Sequence, residues 1–318
     1  MIAFVFPGQG AQHVGMGVAM ADRFPQARRV FDEASAAIDL DLLALCRDGP
    51  DEVLRETENT QPALLACSWA IAAVLIAHGI APRYAAGLSL GEYTALVAAG
   101  ALDLADAVRV VRLRGRYMQE AVAGRATAMA AVLGLDVDTV DGVCREVTGV
   151  VEVANINAPG QVVIAGDRAA VDAACARLRA LGARRAVPLA VSAPFHTSLM
   201  EAAAARLAPV LAAVPLRDAA IPVVANVTGE PVQDAQTIRQ LLIAQVARPV
   251  RWEQSVRRLH GLGATTFVEA GPGTTLAGLV RRTLPQARVL SVATPADLDA
   301  ARAVLADAVG ADAGDARG

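Results

Sequence analysis

Short runs of β-branched and aromatic residues alternate along this chain with longer stretches whose apolar positions recur every three to four residues. The short runs predict strands at Ile2–Phe6, Val150–Val153, Val162–Ala165, Ile221–Asn226, Thr265–Glu269 and Val289–Val292. Helical stretches rich in Ala, Leu and Arg separate most of them. This alternation predicts an α/β fold, a three-layer core around a mostly parallel sheet.

One stretch breaks the rhythm. From about Ala126 to Val191 the pattern reads strand (Ala128–Leu133), helix (Val137–Glu146), strand (Val150–Asn155), strand (Gln161–Ala165), helix (Arg168–Leu181) and strand (Arg184–Pro188). That is the β-α-β-β-α-β order of a ferredoxin-like unit. The expected organisation is an α/β domain made of residues 1–125 and 192–318, with a small insert at 126–191. The Gly310–Gly318 end is rich in Gly, Ala and Asp and is expected to fray.

Composition narrows the class. The chain has 318 residues, 54% hydrophobic and 19% charged, which excludes a disordered, collagen-like or disulfide-framework protein. Its formal net charge is -3 and aromatics are 3%, so neither a basic footprint nor stacking platforms point to nucleic acid. Cys46, Cys67, Cys144 and Cys175 are far apart and read as ordinary thiols of a reducing cytosol. The longest uncharged apolar run, Ala63–Ala77, is short for a membrane span and reads as a buried helix. Met1 leads straight into a strand-like run with no basic leader, so no secretory signal is expected. These features together lead us to expect a soluble cytoplasmic protein.

The chemistry starts at Gly87-Leu88-Ser89-Leu90-Gly91. This G-x-S-x-G lies between a candidate strand (Tyr84–Ala86) and a candidate helix (Glu92–Ala99), the setting of a nucleophile elbow. A Gly-rich turn that merely caps a helix spells the same letters. A serine hydroxyl needs an adjacent base. Of four histidines, His13 and His260 have polar neighbours, and His78 ends the apolar helix before Gly79. His196 sits in Ser192-Ala193-Pro194-Phe195-His196-Thr197-Ser198, a loop opening a helix from about Leu199 to Val214. Thr197 or Ser198 can cap that helix.

An arginine adds a third element. On the helix from about Leu104 to Ala121, Arg109, Arg112 and Arg116 form a solvated face. Arg114 instead shares a stripe with Ala107, Val111 and Met118. A charge on an apolar stripe needs a partner, either an internal carboxylate or an anionic ligand.

These residues fall into a pattern that resembles the malonyl-CoA:acyl-carrier-protein transacylases of fatty acid and polyketide synthesis. The landmarks are Phe6-Pro7-Gly8-Gln9-Gly10, Gly87-Leu88-Ser89-Leu90-Gly91-Glu92, Arg114-Gly115-Arg116, Asn157-Ala158-Pro159-Gly160-Gln161, Phe195-His196 and Glu269-Ala270-Gly271-Pro272-Gly273. The likeness covers nearly the whole chain. It implies a hydrolase-like α/β core with a ferredoxin-like insert. It implies that Ser89 takes the acyl group, with His196 as base and then acid, oriented by the main-chain carbonyl of Gln245. It further implies an oxyanion hole from the Gln9 and Leu90 backbone N–H groups, and Arg114 as clamp for the malonyl carboxylate. Phe195 resembles malonyl-selective members. Most members have His where this chain has Leu88.

The substrates implied are malonyl-CoA and the phosphopantetheine thiol of an acyl carrier protein, with no bound cofactor or metal and a monomeric enzyme. Carriers are usually acidic, which makes Arg184, Arg185, Arg281 and Arg282 candidate docking residues. Two other readings stand beside this one. A serine esterase or thioesterase would use the same serine with an acid orienting the histidine. A non-catalytic scaffold would keep the fold alone.

Overall fold

The computed structural model describes residues 1–189 and 193–315. The first part of the chain runs β1 (Ile2–Phe6), α1 (Val18–Arg23), α2 (Pro25–Ile38), α3 (Leu42–Asp48), α4 (Asp51–Arg55), α5 (Thr57–Ala77), β2 (Tyr84–Gly87), α6 (Gly91–Ala98) and α7 (Leu104–Glu120). Next come β3 (Thr127–Leu133), α8 (Val137–Glu146), β4 (Val151–Ala158), β5 (Gln161–Asp167), α9 (Arg168–Ala180) and β6 (Arg185–Pro188). A 3-10 turn at Ser198–Met200 leads into α10 (Glu201–Ala213), β7 (Val223–Val224), β8 (Pro231–Val232), α11 (Ala235–Gln245) and α12 (Trp252–Gly261). The chain then forms β9 (Thr266–Ala270), α13 (Thr275–Thr283), β10 (Arg288–Val292) and α14 (Pro295–Asp315).

Two sheets organise these elements. The larger has the order β10-β9-β1-β2-β7-β8, parallel except for β8. Alternation along β1 shows why it is the middle of three layers. Phe4 and Phe6 enter the core on the α2, α5 and α7 side, whereas Ala3 and Val5 face Trp252, Leu276 and Val280 on the other. The smaller sheet is antiparallel, ordered β4-β5-β3-β6, and packs α8 and α9 over its own core. The expected β-α-β-β-α-β run is present element for element, with bounds shifted by at most three residues. The expected domain joint at 191/192 lies outside the described residues.

One expectation is corrected. The strand foreseen at Ile221–Asn226 is ladder-paired only at Val223–Val224, because Pro222 has no N–H and Ala225 turns to bond Glu230 O. Helix α14 runs through Asp315, within the stretch expected to fray, and residues 316–318 lie outside the described residues. Helix α5 begins at Thr57, six residues before the apolar run. It is long and apolar enough to cross a membrane, and 78% of the relevant window is buried inside the fold. Its polar first turns are buried too, Gln61 among them.

The elbow depends on close backbone approach. A Cβ on Gly87 would lie 1.9 Å from the Gly91 carbonyl oxygen, and one on Gly91 would lie 2.1 Å from Phe6 O. Only glycine lets β1, the turn and α6 pack this tightly. Gly278 is the opposite case: it is exposed inside α13, and a Cβ there would meet nothing within 4 Å. Gly91→Ala should therefore destabilise by about 2–3 kcal/mol. Gly278→Ala should stabilise by about 0.5–1 kcal/mol. Urea unfolding midpoints of the two variants check both signs.

Candidate active site

Ser89 sits at the C-terminal end of β2 with φ 54°, in the left-handed region, immediately before α6. Such a backbone costs about 1–3 kcal/mol and survives only when its surroundings hold it. Asn226 supplies part of that hold: its Oδ1 accepts from Ser89 N at 2.7 Å, and its Nδ2 donates to Gly87 O at 2.7 Å. Asn226 follows β7, so a neighbouring strand's carboxyl end braces the elbow, where α/β sheets place their sites.

His196 also has a positive φ, 63°. Its Nδ1 lies 2.7 Å from Gln245 O and its Nε2 lies 2.7 Å from Ser89 Oγ. A carbonyl only accepts, so Nδ1 carries the proton and Nε2 is left to accept from the serine hydroxyl. The partner that orients the imidazole is thus a main-chain carbonyl and not a carboxylate. Burial, followed by the Arg114 charge, pushes the His196 pKa down to about 3. The imidazole is neutral at physiological pH.

Arg114 is 2% exposed, on the same buried stripe as Ala107, Val111 and Met118. No ion pair holds it among the described residues. Its N–H groups reach Gln61 Oε1 (2.9 Å), Gln245 Oε1 (2.9 Å) and Ser89 Oγ (3.1 Å). The ring of Tyr93 lies 5.6 Å from the guanidinium carbon. Gln245 has a double role: its carbonyl orients the histidine, and its side-chain Nε2 donates to Ser89 O (2.9 Å) and Glu92 Oε2 (2.8 Å). Burial raises the Glu92 pKa to about 7, while the Gln245 hydrogen bond opposes that shift.

A cavity of ≈ 380 Å³ opens over these groups. Gln9, Leu90 and Phe195 line it, as do Leu88 and Asn157, whose Oδ1 is buried without a hydrogen-bond partner. Gln161, at its rim, accepts from Arg282 Nη1 at 3.3 Å. Arg184 and Arg185 are exposed on the insert, and Arg281 donates to Val289 O. Of the helix α7 arginines expected on a solvated face, Arg112 departs. It is half-buried and donates to Ile38 O, capping the end of α2.

Sequence reasoning overlooked Gln61, Asn226, Glu92 and the side chain of Gln245. Asn226 carried a usable signal, as a polar residue closing a predicted strand. Gln61 carried none, because its role depends on where α5 crosses α7.

Known proteins share this fold and much of the sequence. A model of the acyl transferase domain family matches residues 3–308. The malonyl CoA-acyl carrier protein transacylase of Bacillus subtilis (strain 168) is 44% identical over 303 residues, covering 94% of this chain and 96% of that protein. This chain belongs to that transacylase family. Among solved structures, the acyl-carrier-protein S-malonyltransferase of Burkholderia pseudomallei is 48% identical with a TM-score of 0.92, covering 94% of this chain and 98% of that one. A type II PKS acyl-carrier protein in complex with its malonyl-transacylase matches at 45% identity and a TM-score of 0.91, over 93% of this chain and 97% of that one.

The histidine shift has a direct consequence. Labelling of Ser89 by a serine-directed sulfonyl fluoride should show no loss around pH 6.5, the ordinary histidine value. The base stays unprotonated until pH falls well below that, so the acid limb should lie below about pH 5. An inflection near neutral pH that disappears in Glu92→Gln would belong to Glu92. The rate of labelling against pH reads both.

Proposed function

We propose that this protein moves a malonyl group from malonyl-CoA to the phosphopantetheine thiol of an acyl carrier protein, through a malonyl ester on Ser89. One observation carries this reading. A buried guanidinium with no carboxylate partner among the described residues lies 3.1 Å from the nucleophile oxygen. A carboxylate on the acyl chain, one methylene from the thioester carbonyl, supplies the missing counter-charge.

Ser89 Oγ attacks the thioester carbonyl as its proton passes to His196 Nε2. The negative charge that builds on the carbonyl oxygen is held by the Gln9 and Leu90 backbone N–H groups until the C=O bond re-forms, and such donors are worth about 10²–10³ in rate. The C–S bond breaks, and the coenzyme A sulfur leaves with the histidine proton. The carrier thiol then reverses the sequence, giving ping-pong kinetics. Exchange of one thioester for another is nearly thermoneutral and uses no metal or redox cofactor.

Arg114 has a second effect in this scheme. Its charge lowers the His196 pKa, so a carboxylate paired with it lifts that pressure and makes the base stronger. A malonyl donor thus tunes the histidine in a way an acetyl donor does not. Phe195 in the cavity wall crowds an α-methyl group, a discrimination worth about 1–3 kcal/mol. Arg184, Arg185, Arg281 and Arg282 are assigned to the acidic carrier, with Arg282 bonded to Gln161 of the cavity lining. The reading also holds the division into residues 1–125 with 192–318 and an insert at 126–191, a monomeric state and a cytoplasmic setting free of nucleic acid and membrane.

Intact-protein mass spectrometry after brief exposure to malonyl-CoA, methylmalonyl-CoA and acetyl-CoA tests the reading. The expected result is a malonyl-sized adduct on the wild type, absent in Ser89→Ala. Arg114→Ala should slow malonyl transfer by about 10²-fold more than acetyl transfer. Equal losses with both donors would remove the clamp. The KM for an acidic carrier should rise with added salt, and more weakly so after Arg282→Ala.

A further inference from the structure

His196 has a positive φ, and the loop that carries it is tied to β4 two residues further on. The residue two positions on, Ser198, begins the 3-10 turn, whose N-cap side chain makes no capping bond. Thr197 Oγ1 donates to Pro194 O instead. The cap is supplied from a distance. Glu152, on β4, accepts from Ser198 N at 2.9 Å through Oε2 and from Ser198 Oγ through Oε1. Both carboxylate oxygens of Glu152 are thus spent on one residue beside the histidine. No salt bridge engages Glu152 among the described residues.

The same strand meets the histidine's other support. β4 is the edge strand of the smaller sheet. Three residues beyond Glu152 it forms a parallel bridge, Asn155 to Val250, with Val250 N donating to Ala154 O (2.9 Å) and Ile156 N to Val250 O (2.8 Å). Val250 lies five residues after Gln245, whose carbonyl orients the imidazole. One short strand, Glu152 to Ile156, therefore fixes both the loop that carries the base and the segment that aims it.

We propose that Glu152 is a positioning residue: its carboxylate clasps Ser198 and, with the β4–Val250 bridge, keeps His196 Nε2 within reach of Ser89. The clasp rests on the Ser89–His196 reading above. It makes the insert part of the catalytic geometry as well as a wall of the cavity. Displacing a base by about an ångström costs up to about 10²-fold in rate. Removing one of several supports is expected to cost about 10-fold.

Two readouts on full-length Glu152→Ala, Ser198→Ala, the double variant and Glu152→Gln test this. The first is the rate of Ser89 labelling by phenylmethanesulfonyl fluoride, which needs the base but no particular acyl group. The second is single-turnover acylation by malonyl-CoA, with thermal melting as the folding control. Glu152→Ala should slow both rates about 10-fold, mainly in kcat and with little change in KM, and Ser198→Ala, which keeps the backbone bond, should slow them less. The double variant should be no slower than Glu152→Ala, since Glu152→Ala alone already removes both hydrogen bonds to Ser198. Glu152→Gln, which keeps an acceptor, should recover most of the rate. Wild-type rates in a folded Glu152→Ala, a loss confined to KM, or an additive double variant would overturn the clasp. Labelling without malonyl acylation in the wild type would sink the acyl assignment, and the fluoride rates would still judge the clasp. A wild type inert to both reagents would overturn the dyad and the clasp with it.

Discussion

A guanidinium buried without a carboxylate must satisfy its N–H groups elsewhere, and here two amide side chains and a serine hydroxyl do so. Gln61 and Gln245 each offer Arg114 an oxygen at 2.9 Å. Neutral acceptors hold the group in place without cancelling its charge. The field of Arg114 is therefore still available to an anion in the cavity, and it is felt by His196, whose pKa it lowers. Replacing either amide by a carboxylate would create the internal ion pair that this arrangement avoids.

Gln245 ties that charge to the rest of the site. Its carbonyl sets the histidine tautomer, and its side chain joins Arg114, Glu92 and the Ser89 backbone. His196, Ser89 and Arg114 thus share one partner residue at the end of α11. Glu92 lies behind this network as a buried acid whose pKa sits near neutrality, so the site holds its positive charge against only a weak internal counter-charge. Of the three non-glycine residues with positive φ among the described residues, Ser89 and His196 meet in the site; Asn226 accepts from the Ser89 backbone, and Glu152 from that of Ser198, two residues beyond His196.

Much of this is legible in the chain itself. Short β-branched runs located most strands of both sheets, β8 excepted, and the β-α-β-β-α-β run was readable because its order of elements breaks the alternation around it. Ser89 was readable because G-x-S-x-G stands between a strand and a helix, and Arg114 because its position on an apolar stripe conflicts with its charge. His196 emerged by elimination among four histidines. Where the reading fell short, the cause was tertiary. The strand before Asn226 was overlong because Pro222 and a turn cut its ladder. Arg112 was assigned to solvent because its helical face is polar, although the end of α2 packs against it.

Local pattern, turn chemistry and the cost of burying charge act within a few residues, so the sequence by itself determined most strands of the two sheets, the elbow and the misplaced arginine. It carried no information on which amides meet Arg114, or on the carboxylate that caps the loop beside His196. Those contacts join residues 53, 131 and 46 positions apart, respectively. Their partners are polar side chains whose local sequence reads as ordinary. Only the crossing of α5 with α7, the end of α11 and the edge of β4 bring them together, and the tertiary structure alone decided them.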